Sequence, residues 1–510
     1  MANDESSKRA LIPSRRKFLV QSAGVATTAA LPAFSIAAST QTRRPNVLFI
    51  MSDDMRVELG CYQNRFHAQT PNLDALARHG ARFDRNYCQF PLCNPSRASM
   101  LTGLTPHDTG VLGNRTDFRT LHPDVVSLPQ LFREHGYVTP RVGKVFHGGI
   151  DDPKAWTEGY GDAGYPKGTT EGVTKVVHRG EVPPRPADVL PTLALDNQQA
   201  IHSDRIMVLE GNGEGHAENL VAERAIEYLR QYKDQPFFLG CGFSKPHSPP
   251  TAPQRFFDLY DPDKIELPVD FAAWPTVPQG FPRAAIRMRN ADLFIGRGAS
   301  HEEAREVIRA YLASISWVDW NIGRVLAELD RLGLRHNTIV VFAVDHGYQL
   351  GEKGKWSKAG SLFEYGTRTP FLLDAPGRHA NGHSILQPVQ SLDVYPTLAE
   401  LAGLPLPTQQ AQGHSLVPLL NNPNTTWDHP AFSIWSEDGK TVHGTAVRTR
   451  DWRYVEFGEN AANGAMLFNV HRDPDELHNL ADDPQHAAVR KQLAMHIAQY
   501  GKASSRTSNS

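Results

Sequence analysis

Four short apolar runs, each ending in charged or imidazole side chains, set the pattern of this chain. Pro45-Asn46-Val47-Leu48-Phe49-Ile50-Met51 leads to Asp53-Asp54, and Tyr137 to Val142 leads into Gly143-Lys144-Val145-Phe146-His147. Pro236 to Cys241 is followed by Lys245-Pro246-His247, and Thr338 to Val344 by Asp345-His346-Gly347. Short apolar runs without strict alternation suit strands buried on both faces, so they predict a mostly parallel sheet. Ligands of open α/β sheets bind beyond the carboxyl ends of the strands, so the four polar endings are expected to meet at one site. Helical patterns lie between the runs. The clearest begins at Ser300, where Ser-x-x-Glu303 forms a capping box before apolar residues at 307, 308, 311, 312, 315, 318, 322, 325, 326 and 329. These predict one long amphipathic helix whose stripe belongs to the core.

Two stretches, Val182 to Ile201 and the Pro-rich Pro249 to Pro282, read as long surface excursions. After Pro423-Asn424-Thr425 the texture changes to short extended segments at 446–449, 452–455 and 466–469, then a helix from about Pro484 to Tyr500. This predicts a small antiparallel sheet with a terminal helix. The expected organisation is a catalytic α/β domain over 44–422, a C-terminal subdomain over 423–503 and a polar tail over 504–510. Residues 1–40 stand apart: Ser14-Arg15-Arg16-Lys17-Phe18-Leu19 precedes an Ala-rich stretch ending near Ala37-Ala38, which resembles a twin-arginine export signal. A periplasmic or extracellular protein is therefore expected. Elsewhere no stretch approaches the ~20 apolar residues of a membrane span, so no stable membrane anchor is expected.

Charge adds a constraint on partners. Lys and Arg number 53 against 55 Asp and Glu, a net of -2, so nothing in the overall balance favours nucleic acid, and an anionic ligand must be met locally. The four cysteines, at 61, 88, 93 and 241, form neither a CxxC pair nor a dense disulfide pattern. Cys93 lies in Pro91-Leu92-Cys93-Asn94-Pro95-Ser96-Arg97-Ala98-Ser99-Met100-Leu101-Thr102-Gly103, where Pro95 suits a first helical position. A group there faces unpaired N–H donors and a dipole favourable to anions, and Arg97 can point back to the same place. On residues alone this is a reactive Cys beside an anion-binding helix end, although an isolated Cys is more often a small buried hydrophobe. Asp53, Asp54 and Asp345 together can hold a hard divalent cation. His147 and His247 are candidates for proton exchange near neutral pH.

The run Cys93-x-Pro95-Ser96-Arg97 followed by Leu101-Thr102-Gly103 resembles the signature of the type I, formylglycine-dependent sulfatases. The likeness extends from Asn46 to about Leu480 and includes Leu467-Phe468-Asn469, Asp473-Pro474, Glu476-Leu477 and Asn479-Leu480. It implies an alkaline-phosphatase-like α/β fold, with a mostly parallel central sheet flanked by helices and a small C-terminal antiparallel subdomain. It also implies hydrolysis of a sulfate ester. A formylglycine-generating enzyme would convert Cys93, and the hydrated aldehyde would supply the attacking hydroxyl. The matching metal ligands are Asp53, Asp54, the converted Cys93, Asp345 and His346, the last standing where many members carry Asn. Calcium is the expected ion, with magnesium second. Arg97, Lys144 and Lys358 would offset charge on the sulfate. His247 would protonate the departing alcohol, and His147 would deprotonate the second hydroxyl so that sulfate leaves.

Within the family, Val142 to His147, Lys245-Pro246-His247 and Asp345 to Glu352 resemble the iduronate 2-sulfatases. This points to a sulfated uronic acid or other sulfated glycan, with Lys245 or Lys355 as a cation for its carboxylate. Two other readings are a phosphomonoester or phosphonate hydrolase of the alkaline phosphatase superfamily and a catalytically silent glycan-binding homologue. The first usually needs a second metal or a different nucleophile, and no second Asp/His set is convincingly placed. Against the second stand intact Cys93, Arg97, Lys144, His147 and His247, since binding alone does not require the maturation motif.

Overall fold

The run beginning at Asn46 forms the central strand, Asn46–Asp53, with all of its residues buried. Thr338–Val344 pairs with it on one side and Phe238–Pro246 on the other, and Arg141–Gly143 lies beyond; all four are parallel. The four apolar runs are therefore neighbours, and their polar endings emerge on one edge of the sheet. Alternation along the central strand divides the core. Leu48 and Ile50 join the cluster built on the helices Ala217–Tyr232 and His301–Arg331, while Val47, Phe49 and Met51 face Cys93–Thr102, Leu128–Glu134 and Val394–Leu401. This is a three-layer α/β/α arrangement. The structure, a computed structural model, describes residues 44–507 apart from 63–64, 167–172, 176–179, 192–193 and 409. The export segment expected at 1–40 lies outside them.

The long helix spans His301–Arg331, capped by Ser300 Oγ, which accepts from Glu303 N at 3.1 Å; the Glu303 carboxylate pairs with Arg297 at 2.5 Å. Every apolar position expected in its stripe is buried. Apolar periodicity does not mark the other four strands of this sheet. Arg368–Asp374 is antiparallel to both of its neighbours, Thr338–Val344 and Ala81–Tyr87, and Ser384–Ile385 and Val389–Gln390 complete an eight-stranded sheet. Neither excursion is wholly irregular. Ala194–Ser203 is helical, and Thr251–Pro253 pairs with Ile206–Leu209, which in turn pairs with Val173–Lys175.

The C-terminal strands Ala431–Trp435, Gly444–Arg448, Trp452–Phe457 and Ala465–Asn469 form an antiparallel sheet in chain order, its first strand also unread in the sequence. The turn Pro484–His486 leads into the helix Ala487–Thr507, so residues 504–507 of the expected tail are helical. Ile434, Met466 and Phe468 pack with Phe281, Leu362 and Phe363, and Ile434 N donates to Gln89 O at 2.9 Å. The run Asp473 to Asn479 secures this attachment. Asp473 accepts from Leu477 N and His478 N, Glu476 accepts from Glu364 N and pairs with Arg453, and Asn479 accepts from Leu467 N.

Candidate active site

At the end of the central strand, Asp54 adopts φ 61°, a left-handed conformation uncommon for a residue with a side chain. Its surroundings hold it there: Asp54 N donates to Asp345 Oδ1 at 3.3 Å, and the Tyr311 hydroxyl donates to Asp54 O at 2.6 Å. The carboxylates of Asp53 and Asp54 are both fully buried. The helix Cys93–Thr102 abuts them. Cys93 itself occupies the first helical position after the N-cap Leu92, so Pro95 is the third residue rather than the first. Ser96 Oγ donates to Asp345 O, and Asn94 Nδ2 donates to Gly113 O and Thr116 O, which pins the helix start between the strand endings. Cys93 Sγ lies 3.4 Å from Asp53 Oδ1 and 3.3 Å from His346 Nε2. Burial, then the Asp53 charge, pushes the thiol well above its ordinary range, so the encoded side chain is neutral.

Asp53, Asp54, Cys93 and His346 present donor atoms within 4.8 Å of one another. His346 Nδ1 lies 3.0 Å from Gly347 O and must donate to it, leaving the Nε2 lone pair toward the cluster. Asp54 Oδ1 is buried and has no hydrogen-bond partner among the described residues. A buried carboxylate oxygen in that state, beside an aimed imidazole lone pair, fits a divalent cation. The fifth expected ligand, Asp345, is placed differently. Its Oδ2 is 3.6 Å from His346 Nε2 but accepts from Arg97 Nε at 2.8 Å, while Oδ1 accepts from two backbone N–H groups.

Each carboxylate has its own cation. Lys144 Nζ pairs with Asp53, Arg97 with Asp345, and Lys358 Nζ with Asp54 at 2.9 Å. Burial opposes ionisation of Asp53, yet Lys144 and Arg97 hold its carboxyl well below the usual range. For Asp54 and Asp345, burial prevails and raises the carboxyl despite Lys358 and Arg97 respectively. Arg97 is fully buried and also donates to Lys144 O and Val145 O, so it braces the strand endings. Lys144 remains 15% exposed.

Both candidate histidines border the cluster. His247 Nδ1 donates to Ser248 O at 2.8 Å, directing a bare Nε2 toward Asp54 Oδ2 at 4.0 Å, and 31% of the side chain is exposed. Burial and then Lys358 pull it down to about 3. His147 is also pulled down to about 3, by burial and then Lys144, and its buried Nδ1 has no hydrogen-bond partner among the described residues. The two lysines expected to meet a substrate carboxylate are engaged elsewhere. Lys245 Nζ donates to His247 O and Pro249 O, both at 2.8 Å, and Lys355 Nζ donates to Arg287 O and Arg289 O at 2.9 and 2.6 Å. Both are buried loop anchors. Asp292, absent from the sequence reading, lies 3.2 Å from Lys358 Nζ; it follows no apolar run, so no local pattern marks it.

The fold and site define a hydrolase class, and the comparisons agree. The sequence profile described as Sulfatase matches residues 45–404, and that of the N-sulphoglucosamine sulphohydrolase C-terminal region matches 351–503. This chain belongs to the sulfatase family. It is 31% identical to the iduronate 2-sulfatase of Mus musculus, covering 88% of this chain and 93% of that one. It is also 31% identical to the choline-sulfatase of Rhizobium meliloti, with 87% and 84% covered. In structure it is similar to the phosphonate monoester hydrolase of Agrobacterium radiobacter, at a TM-score of 0.71, 21% identity and 90% and 96% coverage. That last likeness concerns the fold alone.

Proposed function

We propose that this protein hydrolyses a sulfate ester of a sulfated glycan, a sulfated uronic acid first among them, after Cys93 has been converted to formylglycine by a generating enzyme. The observation that carries this reading is the position of Cys93 Sγ, 3.3–3.4 Å from His346 and Asp53 at an anion-favouring helix start. A buried neutral thiol is a poor nucleophile, which is consistent with a residue that acts only after conversion. The likeness to the mouse iduronate 2-sulfatase along 88% of the chain supports the uronate. The Arg15-Arg16 segment supports export to the periplasm or beyond.

Asp53, Asp54, His346 and residue 93 would hold a divalent cation, with Asp345 beside them. When bound, that ion, calcium in this reading, offsets charge on the sulfo oxygens, while formylglycine supplies the attacking hydroxyl. The chain's own groups do the rest. Lys144, partly exposed, and Lys358 draw the sulfo group toward residue 93. His247 gives the departing oxygen its proton. In the free protein Lys358 helps keep this imidazole neutral, and an anionic ester beside both offsets that field and raises its proton affinity. His147, neutral with an unpaired Nδ1, takes the proton that allows sulfate to leave.

The test is co-expression with a formylglycine-generating enzyme, peptide mass spectrometry at residue 93 and a panel of esters. The panel holds uronate 2-sulfates, sulfated glucosamines, an aryl sulfate, choline sulfate and a phosphonate monoester. Formylglycine at 93 and fastest sulfate release from a sulfated glycan are expected, with Cys93→Ala lowering kcat more than about a thousandfold. Unchanged turnover in Cys93→Ala would sink the mechanism. Preference for choline sulfate or the phosphonate would replace the substrate.

A further inference from the structure

Asp292 lies in an irregular strap, residues 287–294, between the short turn Arg283–Ala285 and the helix His301–Arg331. The strap is bonded along its length to residues 354–356. Asn290 Oδ1 accepts from Trp356 N at 2.9 Å, Leu293 N donates to Trp356 O at 3.4 Å, and Lys355 Nζ holds the Arg287 and Arg289 carbonyls. The Phe294 ring packs 4.6 Å from Trp356. These contacts set Asp292 Oδ1 3.2 Å from Lys358 Nζ, with only 5% of Asp292 exposed. Its Oδ2 is buried and has no hydrogen-bond partner among the described residues.

Lys358 thus sits between two carboxylates of different standing. Asp54 belongs to the donor cluster that fits a divalent cation, and Asp292 does not. Lys358 Nζ meets Asp54 Oδ2, while Oδ1, unpartnered among the described residues, is left for a cation. A bound cation therefore draws on the same carboxylate charge as the ammonium and repels it. Arg97 also has a second carboxylate, Asp53 at 3.8 Å, but that one lies within the cluster. We propose that Asp292 is a positioning residue that retains Lys358 beside the sulfo group when Asp54 turns its charge to the metal. An ammonium carries three N–H donors, so one held on Asp292 leaves others for substrate. Loss of the Asp292 charge leaves Lys358 on Asp54, where it opposes metal binding. The inference rests on the proposed metal-dependent function and concerns a residue outside the matched motifs.

Calorimetric titration of calcium, and separately of magnesium, into chelator-treated full-length mature protein tests this. Asp292→Asn is expected to weaken calcium binding about tenfold, the scale seen when groups supporting metal ligands are removed. Asp292→Glu, which keeps the charge, is expected to recover most of that loss and guards against a folding failure of the first variant. On a Lys358→Met background, where no ammonium competes, Asp292→Asn is expected to leave the affinity unchanged. A lower Tm with unaltered calcium affinity makes Asp292 merely structural and overturns the proposal. An equal loss on both backgrounds also overturns it. If the unsubstituted protein binds no divalent cation, the proposed function itself fails; if it binds and Asp292→Asn binds equally, only the role of Asp292 fails.

Discussion

Lys355 is 2% exposed, and burial pulls its ammonium down to about 7. A neutral amine has two N–H donors, matching the two carbonyls it meets, Arg287 O and Arg289 O. A lysine in the unfolded chain titrates near its ordinary 10.5, so between about pH 7 and pH 10.5 the unfolded chain holds a proton that the native protein does not. Stability from this site therefore rises with pH across that window and falls as pH drops toward 7. By calorimetry, the Tm advantage of the unsubstituted protein over Lys355→Met is expected to widen from pH 7 to pH 9. Parallel Tm curves would reject the shift. Three lysines stand within six residues here, at 353, 355 and 358. Lys353 pairs with Asp270 at 2.7 Å, Lys355 holds the strap, and Lys358 reaches Asp54. Resemblance to the family marked the last, but composition and spacing do not distinguish the other two, because their partners lie 66 to 83 positions away.

Among the elements, the short strand Arg141–Gly143 places Lys144 and His147, and it does so by close backbone approach. Gly143 has φ 74°, and a Cβ there would lie 1.9 Å from Gly242 O; one on Gly242 would lie 2.2 Å from the Lys144 carbonyl carbon. Neither contact is sustainable without moving a strand. Gly143→Ala is expected to lower kcat at least about a hundredfold through displacement of Lys144, the usual scale for an ångström of misplacement. Sulfate-release kinetics beside a Tm measurement check this, and near-normal kcat would show that the ending tolerates the shift. Periodicity made the 31-residue helix and the four inner runs legible. It missed Ala81–Tyr87, whose Arg82, Asp84 and Arg85 break any apolar pattern, and Arg368–Asp374, which joins the sheet antiparallel. Strand formation there depends on neighbours supplied by distant chain.

Across the whole molecule, charge balance at the site separates folding from activity. Asp53, Asp54 and Asp345 are each paired with a cation of the chain itself. Chelation with EDTA is therefore expected to abolish sulfate release while leaving the protein folded. The Tm loss should correspond to no more than about 3 kcal/mol of ligand stabilisation, reversed better by calcium than by magnesium. Calorimetry and activity with and without EDTA decide it; collapse of the fold would contradict the pairing. The C-terminal sheet has the opposite standing. Ile434, Met466 and Phe468 share one apolar cluster with Phe281, Leu362 and Phe363. A chain ended at residue 422 exposes that surface and is expected to be insoluble. Soluble expression followed by size-exclusion chromatography measures this, and a monomeric, cooperatively melting fragment would show independent folding.

The sequence by itself determined the family, the inner strands and the identity of the residues at their ends, because apolar runs, a helical period and a contiguous motif are local features. Tertiary structure alone decided which of those side chains remain available. It brought Cys93, Asp53, Asp54 and His346 within 4.8 Å, tied Lys245 and Lys355 to backbone carbonyls, and delivered Asp292 to Lys358 from an irregular strap. The physical reason is that a buried polar group must find a partner wherever the packed chain supplies one. For these residues that partner is chosen by the close approach of segments distant in the chain, which no nearby residue encodes.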